Sequence, residues 1–181
     1  MNENREKIVQ LKDAENEVKV VTQRLALLHL SYAKILVEEF GWKEGKLIIL
    51  KAIKEYGMRI ADRTNRGFQS LPKYGFWERR DGKPPLCELG KLILEYGEED
   101  IGSLYCLVDS AKTMAADPEK KMIHEKCLAL GDGYCLFKIV PTTEEDRENF
   151  FAENEDWSHI DPLLASFYCL KEADTRNVDK R

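Results

Sequence analysis

The stretch His124-Glu125-Lys126-Cys127-Leu128-Ala129-Leu130-Gly131-Asp132-Gly133-Tyr134-Cys135-Leu136-Phe137 decides how this chain is read. Asp132-Gly133 is a hairpin turn signal. The segments on either side, 122 to 130 and 134 to 140, have the composition of strands. The turn therefore predicts an antiparallel pair. The same stretch sets Cys127 and Cys135 eight positions apart, with His124 three residues before the first. Cys106 lies in an apolar run upstream.

Three thiols and an imidazole that converge on one point make either a metal site or a reactive-thiol site. Zinc takes thiolate and imidazole ligands in a tetrahedron, and Cys106, His124, Cys127 and Cys135 supply four. Geometry sets a condition. Side chains alternate along a strand, so His124 and Cys127 face opposite ways unless a bulge or turn lies between them. A two-residue turn at Asp132-Gly133 would also put Cys127 and Cys135 on different faces, whereas an odd-length loop aligns them. A buried cysteine can equally be a small apolar residue, and all three readings stay open here. Cys87 sits in a loop from which it can reach the pocket. Cys169, in an apolar run, reads as core, as does His29. His159 reads as a surface or capping residue.

Outward from the hairpin, residues 5 to 40 read as one long helix or two joined ones. Ile8, Leu11, Val18, Val21, Leu25, Leu28, Tyr32 and Ile35 alternate by threes and fours and mark one face. The polar first turns are free to fray or to pack on a partner. Gly41 is a stop. A second helix is expected over 43 to 66, with a wide apolar face from Leu47 to Ala61. Gly57 inside it predicts a close helix crossing or a ligand near the backbone. Residues 67 to 90 are rich in Gly and Pro and read as a loop whose Phe68, Tyr74, Phe76 and Trp77 wall a pocket or pin the loop. Strands are expected over 92 to 96 and 104 to 108, and a short helix over 110 to 116. Thr142 with Glu145 has capping-box spacing and predicts a helix to about residue 153. A last helix starts at Asp161-Pro162. The order is that of an α+β fold: N-terminal helices on an antiparallel sheet with a pocket between them, then C-terminal helices.

The 181 residues predict one domain over 1–181, with its core at about 18–172 and mobile ends. A formal charge of −5 and only small basic clusters argue against nucleic acid. No run of about 18 apolar residues is read from the composition, and the N-terminus lacks a signal-peptide core, so a cytoplasmic protein without a membrane partner is expected. The five cysteines then read as reduced thiols, metal ligands or catalytic groups. The expected partner is a small molecule, and a homodimer is left open.

The runs Leu104-Tyr105-Cys106-Leu107-Val108-Asp109, Asp117-Pro118 and Cys127 to Phe137 resemble the L-2-amino-thiazoline-4-carboxylic acid hydrolases. So do Glu39-Phe40-Gly41-Trp42-Lys43-Glu44-Gly45 and Ala52-Ile53-Lys54-Glu55-Tyr56-Gly57. The resemblance spans roughly residues 20 to 140, its hairpin being the most specific part. It implies a 4-vinyl-reductase-like core, a small-molecule-binding α+β module. In zinc-binding sensor versions of that module an acidic residue stands three before the first hairpin cysteine, where this chain has His124. Their upstream cysteine matches Cys106 with a shorter spacing. The implied reaction is hydrolytic opening of a cyclic amidine to a carbamoyl-cysteine. Its implied catalytic set is Cys106, Asp109, His124, Cys127 and Cys135. A metal-bound hydroxide, or a thiolate with His124 as base, would attack; Asp109 would hold the amidinium. Arg59 would pair with a substrate carboxylate, beside Tyr56 and Trp77. The cofactor would be a divalent metal, zinc or manganese, on Cys106, His124, Cys127 and Cys135. The alternative is a non-catalytic, zinc-containing sensor or carrier. A closed site would favour that alternative, and an open coordination position or exposed low-pKa thiol the enzyme.

Overall fold

The computed structural model describes residues 10–67, 87–153 and 155–169. Phe68, Tyr74, Phe76, Trp77 and the polar tail from residue 173 lie outside them. So do the expected first turn of the N-terminal helix and most of the Gly- and Pro-rich loop.

Helix α1 (Leu11–Asn65) is broken at Gly41, whose φ of 77° and ψ of 165° are not helical. This backbone region is one that only glycine enters freely, so the expected stop is there. Residues nine apart on an unbroken helix are about 13.5 Å apart. A Cβ on Gly45 would instead stand 2.8 Å from the Leu36 carbonyl oxygen. The chain therefore turns sharply at the break. Ala26, Leu30, Ala33, Ile49, Leu50, Ile53 and Ala61 carry the two segments into the core.

Next come α2 (Glu88–Tyr96), α3 (Glu99–Gly102), a 3-10 turn (Ser103–Leu107) and α4 (Val108–Ala116). The strands expected over 92 to 96 and 104 to 108 are thus helical. The reason is visible in what they bury. Leu89, Leu92 and Ile93, and then Leu104, Leu107, Val108, Ala111 and Met114, are buried at helical spacing. Packing of that face outweighs the strand preference of a short apolar run. Gly97 ends α2 in the left-handed region at φ 65°.

Strands β1 (Lys120–Lys126) and β2 (Leu136–Pro141) form a two-stranded antiparallel sheet. Their register pairs Lys120 with Pro141 and His124 with Phe137, then shifts between His124 and Lys126. The fold is α+β, and among the described residues its sheet is this single hairpin. It packs on α4, where the Ser110 hydroxyl donates to the Met122 carbonyl. Helix α5 (Glu144–Phe151) begins in a capping box one residue later than expected: Thr143 Oγ1 accepts from Asp146 N, and Asp146 Oδ2 accepts from Thr143 N. A 3-10 turn (Ser158–Ile160) leads to α6, residues 162–169. Cys169, expected in the core, is exposed near its end. His29 packs edge-on against Tyr105, and its Nε2 lies 3.0 Å from the Ile101 carbonyl. Burial lowers its pKa and keeps the ring neutral.

Gly57 marks the closest approach of α1 to α4. A Cβ there would stand 2.6 Å from Ala111 Cβ and 2.8 Å from Lys112 N. The close crossing expected for this glycine is present. Gly57→Ala gains about 1 kcal/mol of helix propensity, but the crowding should reverse the sign and destabilise the fold by about 2 kcal/mol. Equilibrium urea unfolding measures this. A stabilised variant would contradict the close crossing.

Candidate metal centre

Cys106, His124 and Cys127 come from separate parts of the chain. Cys106 is in the 3-10 turn before α4, His124 is in β1, and Cys127 follows β1 directly. One ligand atom from each lies within 4.8 Å of the others, and all three residues are buried. The two sulfurs are 3.9 Å apart. The shift of register after His124 makes this arrangement compatible with strand alternation.

Backbone and carboxylate bonds hold each group in place. Cys127 N donates to Asp132 Oδ2 at 2.7 Å, and Asp132 N returns a bond to the Cys127 carbonyl at 3.3 Å. Gly131, at φ 96°, allows the tight loop between them. This loop holds a 3-10 turn (Leu128–Leu130) rather than a two-residue hairpin turn. His124 is fixed by Asp161, which is fully buried. Asp161 Oδ2 accepts from His124 N at 2.9 Å and from its Nδ1 at 2.7 Å. A carboxylate only accepts, so Nδ1 carries a proton, which leaves Nε2 as the nitrogen that a metal would take. A carboxylate behind a histidine in this way orients the ring for metal binding. The other oxygen, Oδ1, accepts from Leu163 N and Leu164 N and caps α6.

Cys135 and Cys87 extend the thiol row. Cys135 Sγ accepts from Leu128 N at 3.4 Å, and Cys87 Sγ accepts from Gly90 N at 3.3 Å. The two segments are in close contact: Gly90 packs against Leu128 and Ala129 so closely that a Cβ on it would meet the Ala129 nitrogen at 3.0 Å. Cys87 and Cys127 are the thiols that act most strongly on Cys135, and Cys135 acts on both in turn. Together with burial, the neighbouring thiols shift the pKa values upward. Cys135 and burial raise Cys87 far above an ordinary thiol. The bond to Cys106 and burial do the same for Cys127. Cys135 is pushed up to about 11, chiefly by Cys127. For Cys106 the bond from Cys127 is the largest single effect and lowers the value, but burial together with Cys87, Cys135 and Asp109 outweighs it and the net shift is upward. Among the described residues, Cys106, His124 and Cys127 are the group whose donor atoms could hold a metal ion; the expected fourth ligand, Cys135, and Cys87 lie outside it.

The remaining expected site residues do not join this cluster. Asp109 lies in the first turn of α4 and is paired with Lys112. Arg59 stands exposed in a local pair with Glu55 at 2.7 Å. The Tyr56 ring is 6.1 Å from that of Tyr105. Trp77 lies outside the described residues. An open groove of about 580 Å³ runs between Lys51, Lys54, Glu55 and Met58 on α1 and Phe150 to Glu153, and no cysteine lines it. Two contributors were not read from the sequence as part of the site. Asp161 was legible only as a helix start, and Asp132 only as a turn residue.

Asp161 satisfies four donors at once, two from His124 and two from α6. Asp161→Ala should cost about 3–5 kcal/mol in urea unfolding, since it removes a cap and leaves buried donors unpaired. Asp161→Asn, whose single oxygen can keep the cap but whose NH2 then faces the two His124 donors, should cost about 2 kcal/mol. A loss under about 1 kcal/mol for the alanine variant would show that the carboxylate is not what joins these elements. No family model, curated protein or solved structure matches this chain.

Proposed function

We propose that this chain is a non-catalytic, metal-holding domain of the sensor or carrier type, with zinc as the metal and a small molecule as its ligand. The observation that carries the reading is the buried convergence of Cys106, His124 and Cys127, with the imidazole locked by Asp161. Cys135 lies outside that group and would have to move its sulfur off Leu128 N to serve as the fourth donor. Sulfur and imidazole donors suit zinc; manganese prefers oxygen donors, and the cluster offers none directly. A metal bound here would draw the thiols into their thiolate form and tie three elements together. Asp161 would hold the imidazole, and Asp132 would hold the Cys127 backbone.

The hydrolase reading requires an attacking group that a substrate can touch. Cys127 is fully buried and Cys106 and His124 nearly so, and the thiols are held neutral rather than activated. Asp109 and Arg59 are engaged in local ion pairs. These points favour the closed-site alternative. The small-molecule half of the proposal rests on the resemblance to 4-vinyl-reductase-like modules.

Metal analysis of the purified chain should find about one zinc per chain. Cys106→Ser, Cys127→Ser and His124→Ala should each reduce that content strongly, and chelation should lower the melting temperature by about 10 °C. A metal-free protein that gains no stability from added zinc would overturn the metal reading. Opening of thiazoline or hydantoin-like rings, lost in the same variants, would overturn the non-catalytic one.

A further inference from the structure

Among the described residues, the first segment of α1 has a second apolar face that remains exposed. Ala26, Leu30 and Ala33 turn one side of it into the core. On the far side Leu11, Val18, Val21, Leu28, Tyr32 and Ile35 are exposed, from 51% for Val18 to 67% for Leu11. Their spacing, continued through half-buried Leu25, is that of heptad positions a and d: Leu11, Val18, Leu25 and Tyr32 at a, and Val21, Leu28 and Ile35 at d. Monomers rarely leave a continuous apolar stripe of more than about 300–600 Å² open.

We infer that this stripe is a self-association surface, on which a second copy of the chain packs its own α1 as an antiparallel coiled coil. Charge argues for a second copy. Glu17 and Arg24 are both exposed, lie one heptad apart and occupy the g flank. In an antiparallel pair g faces g, so Glu17 of each copy meets Arg24 of the other, twice by symmetry. That register sets Leu11 against Leu28, Val18 against Val21 and Leu25 against Ala14. A parallel pair would set Glu17 against Thr22 and Arg24 against His29, with no opposite charges. The antiparallel overlap is centred N-terminal to Ala26, where the core contacts begin, so the two bodies lie at opposite ends.

A bilayer is the rival occupant. One 18-residue window of α1 reaches a mean hydropathy of 1.2 with 17% of it buried, which is apolar enough to cross a membrane. The stripe, however, runs on through Leu11 and Val18, where Lys12, Asp13, Glu15, Glu17 and Lys19 are all exposed. A seam with water on both flanks suits that pattern; hydrocarbon does not.

Sedimentation equilibrium of the full chain at tens of micromolar should give a dimer. Val18→Asp with Val21→Asp should give a monomer with unchanged helical circular dichroism. Glu17→Arg and Arg24→Glu should each raise the dissociation constant roughly tenfold, by turning two attractions into repulsions. The Glu17→Arg/Arg24→Glu double variant should restore it. A wild-type monomer overturns the inference, whether or not it binds phosphatidylcholine vesicles. So does a dimer that ignores the charge reversals.

Discussion

The carboxylate of Asp161 is the constraint from which the rest of this molecule can be followed. It is fully buried, and each oxygen accepts from two donors. One oxygen holds the backbone and ring of His124, and the other starts α6. A buried charge is tolerable only when it is satisfied in this way. Its partners are 37 residues away on one side and only two and three on the other. It therefore joins the hairpin to the C-terminal helix, and it sets the tautomer of the imidazole that faces the cysteines.

The thiol row extends the same logic across the molecule. Cys106 belongs to the helical run that packs on α1, Cys127 and Cys135 to the hairpin loop, and Cys87 to the start of α2. The sulfurs of Cys87 and Cys135 each accept a backbone amide, Cys127 is held through Asp132, and the elements meet where Gly57 touches Ala111 and Gly90 touches Leu128 and Ala129. Both glycines let backbones approach to a distance that a methyl group would prevent. The cluster is thus a product of close helix packing, and the bond to Cys106 with burial raises the Cys127 pKa.

Much of this was legible where the signal is local. The break at Gly41, the tight crossing at Gly57, the β1–β2 pairing and the helix after Asp161-Pro162 all follow from residues next to one another. The need for a bulge between His124 and Cys127 followed from strand alternation alone, and the register shift meets it. The run Leu104 to Val108 misled because a short apolar stretch reads equally as strand or buried helix. The helical spacing through Ala111 and Met114, seen once their burial is known, decides it. The approach of Cys87 to Cys135 was not legible in full, because it depends on the packing of α2 over the Leu128–Leu130 turn. Nor was the role of Asp161 at His124, which rests on a contact far along the chain. Arg59 and Asp109 had plausible roles by residue type, but neighbours three or four positions away take their charge.

The central claim is that buried sulfur and one imidazole, not oxygen, form a metal site. X-ray absorption at the zinc edge, on chain purified without added metal and loaded with one equivalent of zinc, addresses it directly. The account predicts a sulfur shell near 2.3 Å from at least two cysteines and a nitrogen shell near 2.0 Å with the outer scattering of an imidazole. The nitrogen shell should vanish in His124→Ala. A first shell of light atoms alone, unchanged by Cys127→Ser, would contradict it.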